Sequence, residues 1–161
     1  MTTEQYLALS SLAYSNLENV NLNTGGVNIA QLITDHQIDG YYRPGTQTVD
    51  TPYLALSEIS NWQLISFSKD TVSGFAGAAF RNPTTGEIVF SFRGTNPLDP
   101  RDDFTDLGIV VGGIAPQFDD AYNFVKSVMN KPGIASTPLT TDSALNTYLS
   151  NPTNNVTFTG H

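Results

Sequence analysis

Apolar residues recur along this chain at two spacings, one helical and one alternating, and the switches between them mark out its elements. Tyr6, Leu9, Ala13 and Leu17 recur at helical spacing behind Thr2 or Thr3 as a cap, with Gln5 in the capping-box position relative to Thr2, which predicts a helix over 3–16. A turn-rich break at 21–26 follows, and Ile29, Leu32 and Ile33 then predict a short amphipathic helix. The segment 40–52 is bounded by prolines and glycines and reads as a loop, with Tyr41 and Tyr42 packed on the body or lining an entrance. Alternation over 62–67 predicts a half-buried strand.

Two strand-like runs, 75–81 and 87–92, flank Asn82-Pro83-Thr84-Thr85-Gly86, a turn-forming sequence, and together predict a hairpin. The small residues of the first run allow a partner strand and a covering helix to approach closely. In the second run Phe90 and Phe92 share one face while Val89 and Ser91 share the other, which predicts a central strand covered on both sides. Helical spacing returns at 116–129, where Pro116 suits the first turn and Phe118, Ala121, Tyr122, Val125, Val128 and Met129 form an apolar stripe ended by Lys131-Pro132-Gly133. Thr141 or Asp142 can cap a further helix carrying Ala144, Leu145, Tyr148 and Leu149, stopped at Asn151-Pro152. A last strand over 155–159 completes a strand, helix, strand order, and such units cross over right-handedly between parallel strands. No internal repeat of 20 to 50 residues interrupts this order.

Composition narrows the chemistry. Fifteen acidic residues against seven basic ones give a net charge of −8, which repels a phosphate backbone and argues against a nucleic-acid partner. The absence of cysteine removes disulfides, thiolate metal sites and cysteine nucleophiles together. No apolar run reaches the length of a membrane span, and residues 1–5 lack the basic and apolar regions of a signal peptide, so an exported parent is expected to carry its address elsewhere. Cellular location is otherwise open, with the exterior, reached without an amino-terminal signal peptide, favoured over the cytosol.

The chemistry-bearing motifs are two strand ends. One run closes on Phe92-Arg93-Gly94-Thr95, and the other leads into Thr159-Gly160-His161, the opening of a Gly-X-Ser-X-Gly nucleophile elbow. In this order, separated by a polar loop and a helix, they make residues 75–161 resemble the amino-terminal half of a class 3 lipase. The resemblance implies an α/β fold: an incomplete α/β-hydrolase, with a mixed sheet in which a hairpin is followed by a β-α-β crossover and flanking helices. Residues 1–161 would be the amino-terminal part of one such domain, truncated just before the nucleophile serine, which would follow His161. The parent would be a serine carboxylic-ester hydrolase acting on triacylglycerol- or phospholipid-class esters, and the fragment alone would be inactive. Thr95 would supply an oxyanion-hole donor through its backbone N–H, helped by its hydroxyl, and Gly94 would let the substrate approach the backbone. Arg93 would be structural, paired with Asp106. His161 would not be the triad base, because acid and base follow the serine in chain order in this fold.

The remaining candidates are assigned weaker roles. The resemblance implies that the segment 96–105 matches the lid of related fungal lipases, but Leu98 and Phe104 amid prolines and carboxylates make a poor amphipathic face, which predicts little interfacial activation. Its carboxylates lack the spacing of a calcium loop, so no metal and no cofactor is expected. His36, among polar neighbours, is read as a solvated loop residue, and the sequon at Asn155 as chance within a strand. The partners expected are a lipid or ester substrate and, along strand 155–159, the remainder of the chain or a second polypeptide. The competing reading is a non-catalytic interaction or surface module that keeps a hydrolase-like hairpin.

Overall fold

The computed structural model describes residues 1–13, 17, 20–22, 25–34, 56–68, 75–93 and 116–160. Helix α1 spans Thr3–Leu12, and the expected capping box forms: the Gln5 N–H donates to the Thr2 hydroxyl at 3.3 Å, and the Thr2 N–H donates to the Gln5 side-chain carbonyl at 3.0 Å. Strand β1 (Val27–Asn28) runs directly into α2 (Ile29–Thr34), where the Asn28 side chain accepts from the Ala30 N–H at 2.8 Å. A 3-10 turn at Leu56–Ile59 precedes β2 (Gln63–Ser68), β3 (Gly77–Arg81) and β4 (Ile88–Phe92). Helices α3 (Pro116–Met129) and α4 (Asp142–Leu149) follow, the latter capped by the Thr141 hydroxyl, and a 3-10 turn at Pro152–Asn154 leads to β5 (Val156–Gly160).

The five strands described form one sheet in chain order, β1 to β5. The first four pair antiparallel, and β4 pairs parallel with β5, so α3 and α4 lie on a crossover between neighbouring parallel strands. The architecture is a mixed open sheet with flanking helices. The β3–β4 hairpin is closed as its sequence requires: the Asn82 side chain accepts from the N–H groups of Thr84 and Thr85, and Gly86 takes the positive φ of 73°.

Each face of the sheet carries its own core. On one, Leu64, Ala78, Phe80 and Val89 pack with Leu9 and Leu12 of α1, Leu32 of α2, and Trp62. On the other, Ile65, Ala79, Phe90 and Phe75 pack with Phe124, Val125, Val128 and Met129 of α3 and Leu145 of α4. Val89 and Phe90, consecutive in β4, therefore face different cores, as expected of a central strand. Gly77 lies where β3 must come closest to its cover, since a β-carbon there would stand 3.0 Å from the Phe75 ring, 3.1 Å from Phe92 and 3.5 Å from Phe124.

Two expectations are corrected. Residues 62–67 do not form a half-buried alternating strand, because Leu64, Ile65 and Ser66 are all buried. A β-bulge lies between Leu64 and Ser66, so Leu64 pairs with Phe80 and Ser66 with Ala79, and the inserted Ile65 joins the α3-side core. In the α3 stripe Phe118 is 64% exposed while Phe124 is 7% exposed, so the buried stripe begins one turn later than the spacing suggests.

Polar ties hold the second half of the chain to the sheet. Beyond α3, the Lys131 ammonium donates to the Ile65 carbonyl at 2.9 Å and the Ser66 hydroxyl at 3.0 Å, which places a donor on the irregular backbone of the bulge. Asn130 accepts from the Leu139 N–H at 2.8 Å and donates to the Leu139 carbonyl at 3.2 Å, folding the linker back so that Leu139 is buried. Because Gly77 has no room for branching, Gly77→Val is expected to cost about 1–3 kcal/mol. Urea unfolding of the two proteins, with a lowered midpoint at unchanged slope, is the measurement that checks it.

Candidate active site

The two motifs occupy strand ends, and their relation is fixed by register. In the parallel pair, Ile88 stands opposite Val156, Phe90 opposite Phe158 and Phe92 opposite Gly160. Both strands point the same way, so the chain leaves β4 and β5 from the same rim and from adjacent positions. In open sheets with parallel strands, the space outside the carboxyl ends of such strands is where ligands bind, because loops diverge there and leave a crevice.

The amino end of β3 shares this rim. The Arg93 N–H donates to the Ala76 carbonyl at 2.9 Å, continuing the hairpin one residue past β4, and Phe75 packs on Phe92 with ring centroids 5.8 Å apart. The α3 side of the rim is aromatic: Phe158 stacks on Phe90 at 5.4 Å and on Phe92 at 6.2 Å, and is itself 46% exposed. On the α1 side the rim is hydroxylic. Ser91 and Thr159 are register partners, and the Thr159 hydroxyl is 2.6 Å from that of Ser10 in α1.

Of the residues singled out from sequence, Arg93 is half-buried immediately beyond β4, and Gly160 is the last residue of β5. Gly94, Thr95, Asp106 and His161 lie outside the described residues, as do His36, Tyr41, Tyr42 and the lid segment 96–105. Register sets Phe92 opposite Gly160, with Arg93 one residue beyond, so the described parts of the two motifs are strand-end neighbours. Among the described residues no group of three or more His, Asp or Glu is placed to hold a metal ion, and no helix is long and apolar enough to cross a membrane. Compared with models of known protein families and with curated proteins, the chain matches none.

Sequence reasoning missed the hydroxyl group of Ser10, Ser91 and Thr159. A signal existed, since Ser91 interrupts the apolar run of β4 and Thr157 and Thr159 alternate with Phe158. What could not be read was the third member, because Ser10 lies 149 residues from Thr159.

The clearest ionic interaction among the described residues lies away from the rim and is structural. Lys126 of α3 donates to the Asp142 carboxylate of α4 at 2.7 Å. That hydrogen bond, and then the lysine charge, hold the Asp142 pKa below its ordinary 3.8, while the same bond raises Lys126. Desolvation instead lowers Lys131 from its ordinary 10.5. The signs follow by linkage. A depressed carboxyl contributes stability that is complete above pH 3.8 and is lost as pH falls through its lower folded value. A lysine lowered by burial binds its proton more weakly when folded, so its contribution rises as pH climbs toward 10.5. Accordingly the acid-side loss of stability should be shallower in Asp142→Asn than in the parent below pH 3.8. Lys131→Met should flatten the alkaline rise, with pH-dependent urea midpoints as the readout for both.

Proposed function

We propose that this chain is the amino-terminal part of an α/β-hydrolase domain of class 3 lipase type, whose complete form cleaves carboxylic esters of lipids or smaller acyl substrates. The observation that carries the reading is the parallel register Phe92 opposite Gly160. An oxyanion donor and a nucleophile must act on one carbonyl at the same time, so their strands must end side by side on one rim. A strand ending in Phe-Arg-Gly-Thr and a strand ending in Thr-Gly-His that left from opposite rims could not cooperate in this way.

In this reading each residue has a task. The Thr95 N–H donates to the oxygen that becomes negative when the ester carbonyl is attacked, and its hydroxyl adds a second donor. Gly94 leaves room for the acyl group, and Arg93 holds the corner through Asp106. The residue after His161 is the serine nucleophile, its own N–H lies beyond it in the elbow, and acid and base follow later in the chain. The chain from 1 to 161 then supplies half of an oxyanion hole and no nucleophile.

A second reading is favoured by one specific observation. Strand β5 has β4 on one side and, among the described residues, no strand on the other, and Phe158 on it is 46% exposed. Such an edge pairs with another strand, whether from the same polypeptide or from a partner, and a non-catalytic interaction module would use it in that way.

Assay of the complete gene product with short-chain p-nitrophenyl esters separates the two. The hydrolase reading expects turnover, labelling by a fluorophosphonate at the serine following His161, and no turnover by residues 1–161 alone. Thr95→Pro, which deletes the N–H, should lower kcat about 100- to 1,000-fold with the fold intact by circular dichroism. Thr95→Ser, which keeps both donors, should stay close to the parent. A folded complete protein that neither turns over esters nor reacts with the probe would refute the hydrolase reading.

A further inference from the structure

The hydroxyls behind the carboxyl rim invite a question that the fold alone does not answer. Ser10 is buried on α1, and its hydroxyl lies 2.6 Å from that of Thr159, the residue before Gly160 and His161. Ser91, the register partner of Thr159 on β4, is fully buried, and its hydroxyl has no hydrogen-bond partner among the described residues. Ser91 precedes Phe92 and Arg93 as Thr159 precedes Gly160 and His161. Each motif strand therefore carries a hydroxyl on its α1 face, one step inside the tip, and α1 packs on both strands.

A buried hydroxyl without a partner opposes folding, and an alanine of nearly the same shape would remove that cost. Position 91 is flanked by residues chosen for apolar packing, Val89 and Phe90 being buried without remainder. The Thr159 hydroxyl is bonded to Ser10 and not to Ser91, its cross-strand neighbour.

We infer that Ser10 is a positioning residue acting through Thr159: it fixes the tip of β5 against α1, and so sets where the turn after Gly160 presents its nucleophile. Placement within an ångström matters for such a turn, since a small displacement of a reacting group is felt directly in the rate. The helix at the start of the chain thereby becomes part of the support of the site, by a contact to the last strand. This inference rests on the hydrolase reading for its kinetic consequence, but the clamp itself is a property of residues 1–160.

The test has two arms. Amide hydrogen exchange is measured at Gly160 in the parent, Ser10→Ala, Thr159→Val and the conservative Thr159→Ser. Faster exchange at Gly160 in the first two variants, restored by Thr159→Ser, is expected, with exchange in the β2–β3 pair unchanged. Unchanged exchange at Gly160 in folded Ser10→Ala overturns the clamp, whatever the protein catalyses. In the complete gene product, Ser10→Ala should lower kcat about tenfold or more at unaltered KM. Ser91→Ala, which removes a buried hydroxyl that makes no bond to Thr159, should instead raise Tm with kcat unaltered. Unaltered kcat in folded Ser10→Ala overturns the kinetic role of the clamp. Absence of any ester turnover in the parent refutes the hydrolase reading instead and leaves the exchange arm to decide the clamp. Should Thr159→Val fail to fold, Ser10→Ala compared with Ser10→Thr carries the same decision.

Discussion

Parallel pairing of β4 with β5 is the constraint on which the rest of this structure depends. Without it the sheet is an antiparallel meander, β1 to β4, in which each strand is joined to the next along one edge. A parallel neighbour cannot be reached by a tight turn, so the chain must travel the length of the sheet and return, and α3 and α4 belong to that return. The helices in turn need an apolar face beneath them, which Ile65, Ala79 and Phe90 supply from three different strands. Pairing, crossover and second core thus stand or fall together.

The two cores impose different demands on the same strands, and the irregularities of the sheet are where those demands meet. Residues of β3 and β4 alternate cleanly between the faces, Ala78 and Phe80 to one, Ala79 to the other. In β2 the bulge breaks this alternation: Ile65 packs on the α3 side, while Phe67, which unbroken alternation would send to that same side, packs against the α1-side core. An extra residue leaves backbone groups out of step with the ladder, and Lys131 answers this by carrying a charged donor to the Ile65 carbonyl. The lysine gives up hydration to do so, which is the cause of its lowered pKa. One element thus repairs a local defect in another, across 66 positions of sequence.

That separation explains how far the sequence could be read. The capping box at Thr2 and Gln5, the Thr141 cap, the hairpin turn around Asn82 and Gly86 and the double coverage of β4 depend on residues a few positions apart, and all were legible. The bulge was not, because Ile65 and Ser66 look like successive members of one alternating strand until the register with Phe80 and Ala79 is known. Phe118 was misassigned because helical spacing gives a phase but not where along the helix the underlying sheet begins to cover it. At the rim, chain order sufficed to predict that strands carrying Arg93 and Gly160 would be parallel neighbours, whereas Ser10 bears no mark in its surroundings of the contact it makes. Long-range polar contacts leave little local trace, and this one joins the first helix to the last strand.

The two edges of the sheet complete the physical picture. At one edge β1 is only two residues long, and short edge strands are a common protection against unwanted pairing. Among the described residues the opposite edge is β5, five residues of β-branched, aromatic and glycine character without charge, proline or bulge. A net charge of −8 does nothing to protect it locally, since residues 143–160 contain no acidic or basic side chain. Phe158 shows the consequence: it is stacked on Phe90 and Phe92 along one flank and open on the rest. The strand that organises the second half of the fold is therefore also the one whose outer hydrogen-bonding groups and apolar surface call for a further strand, and extension of the sheet in that direction would deepen the same carboxyl rim at which the two motifs end.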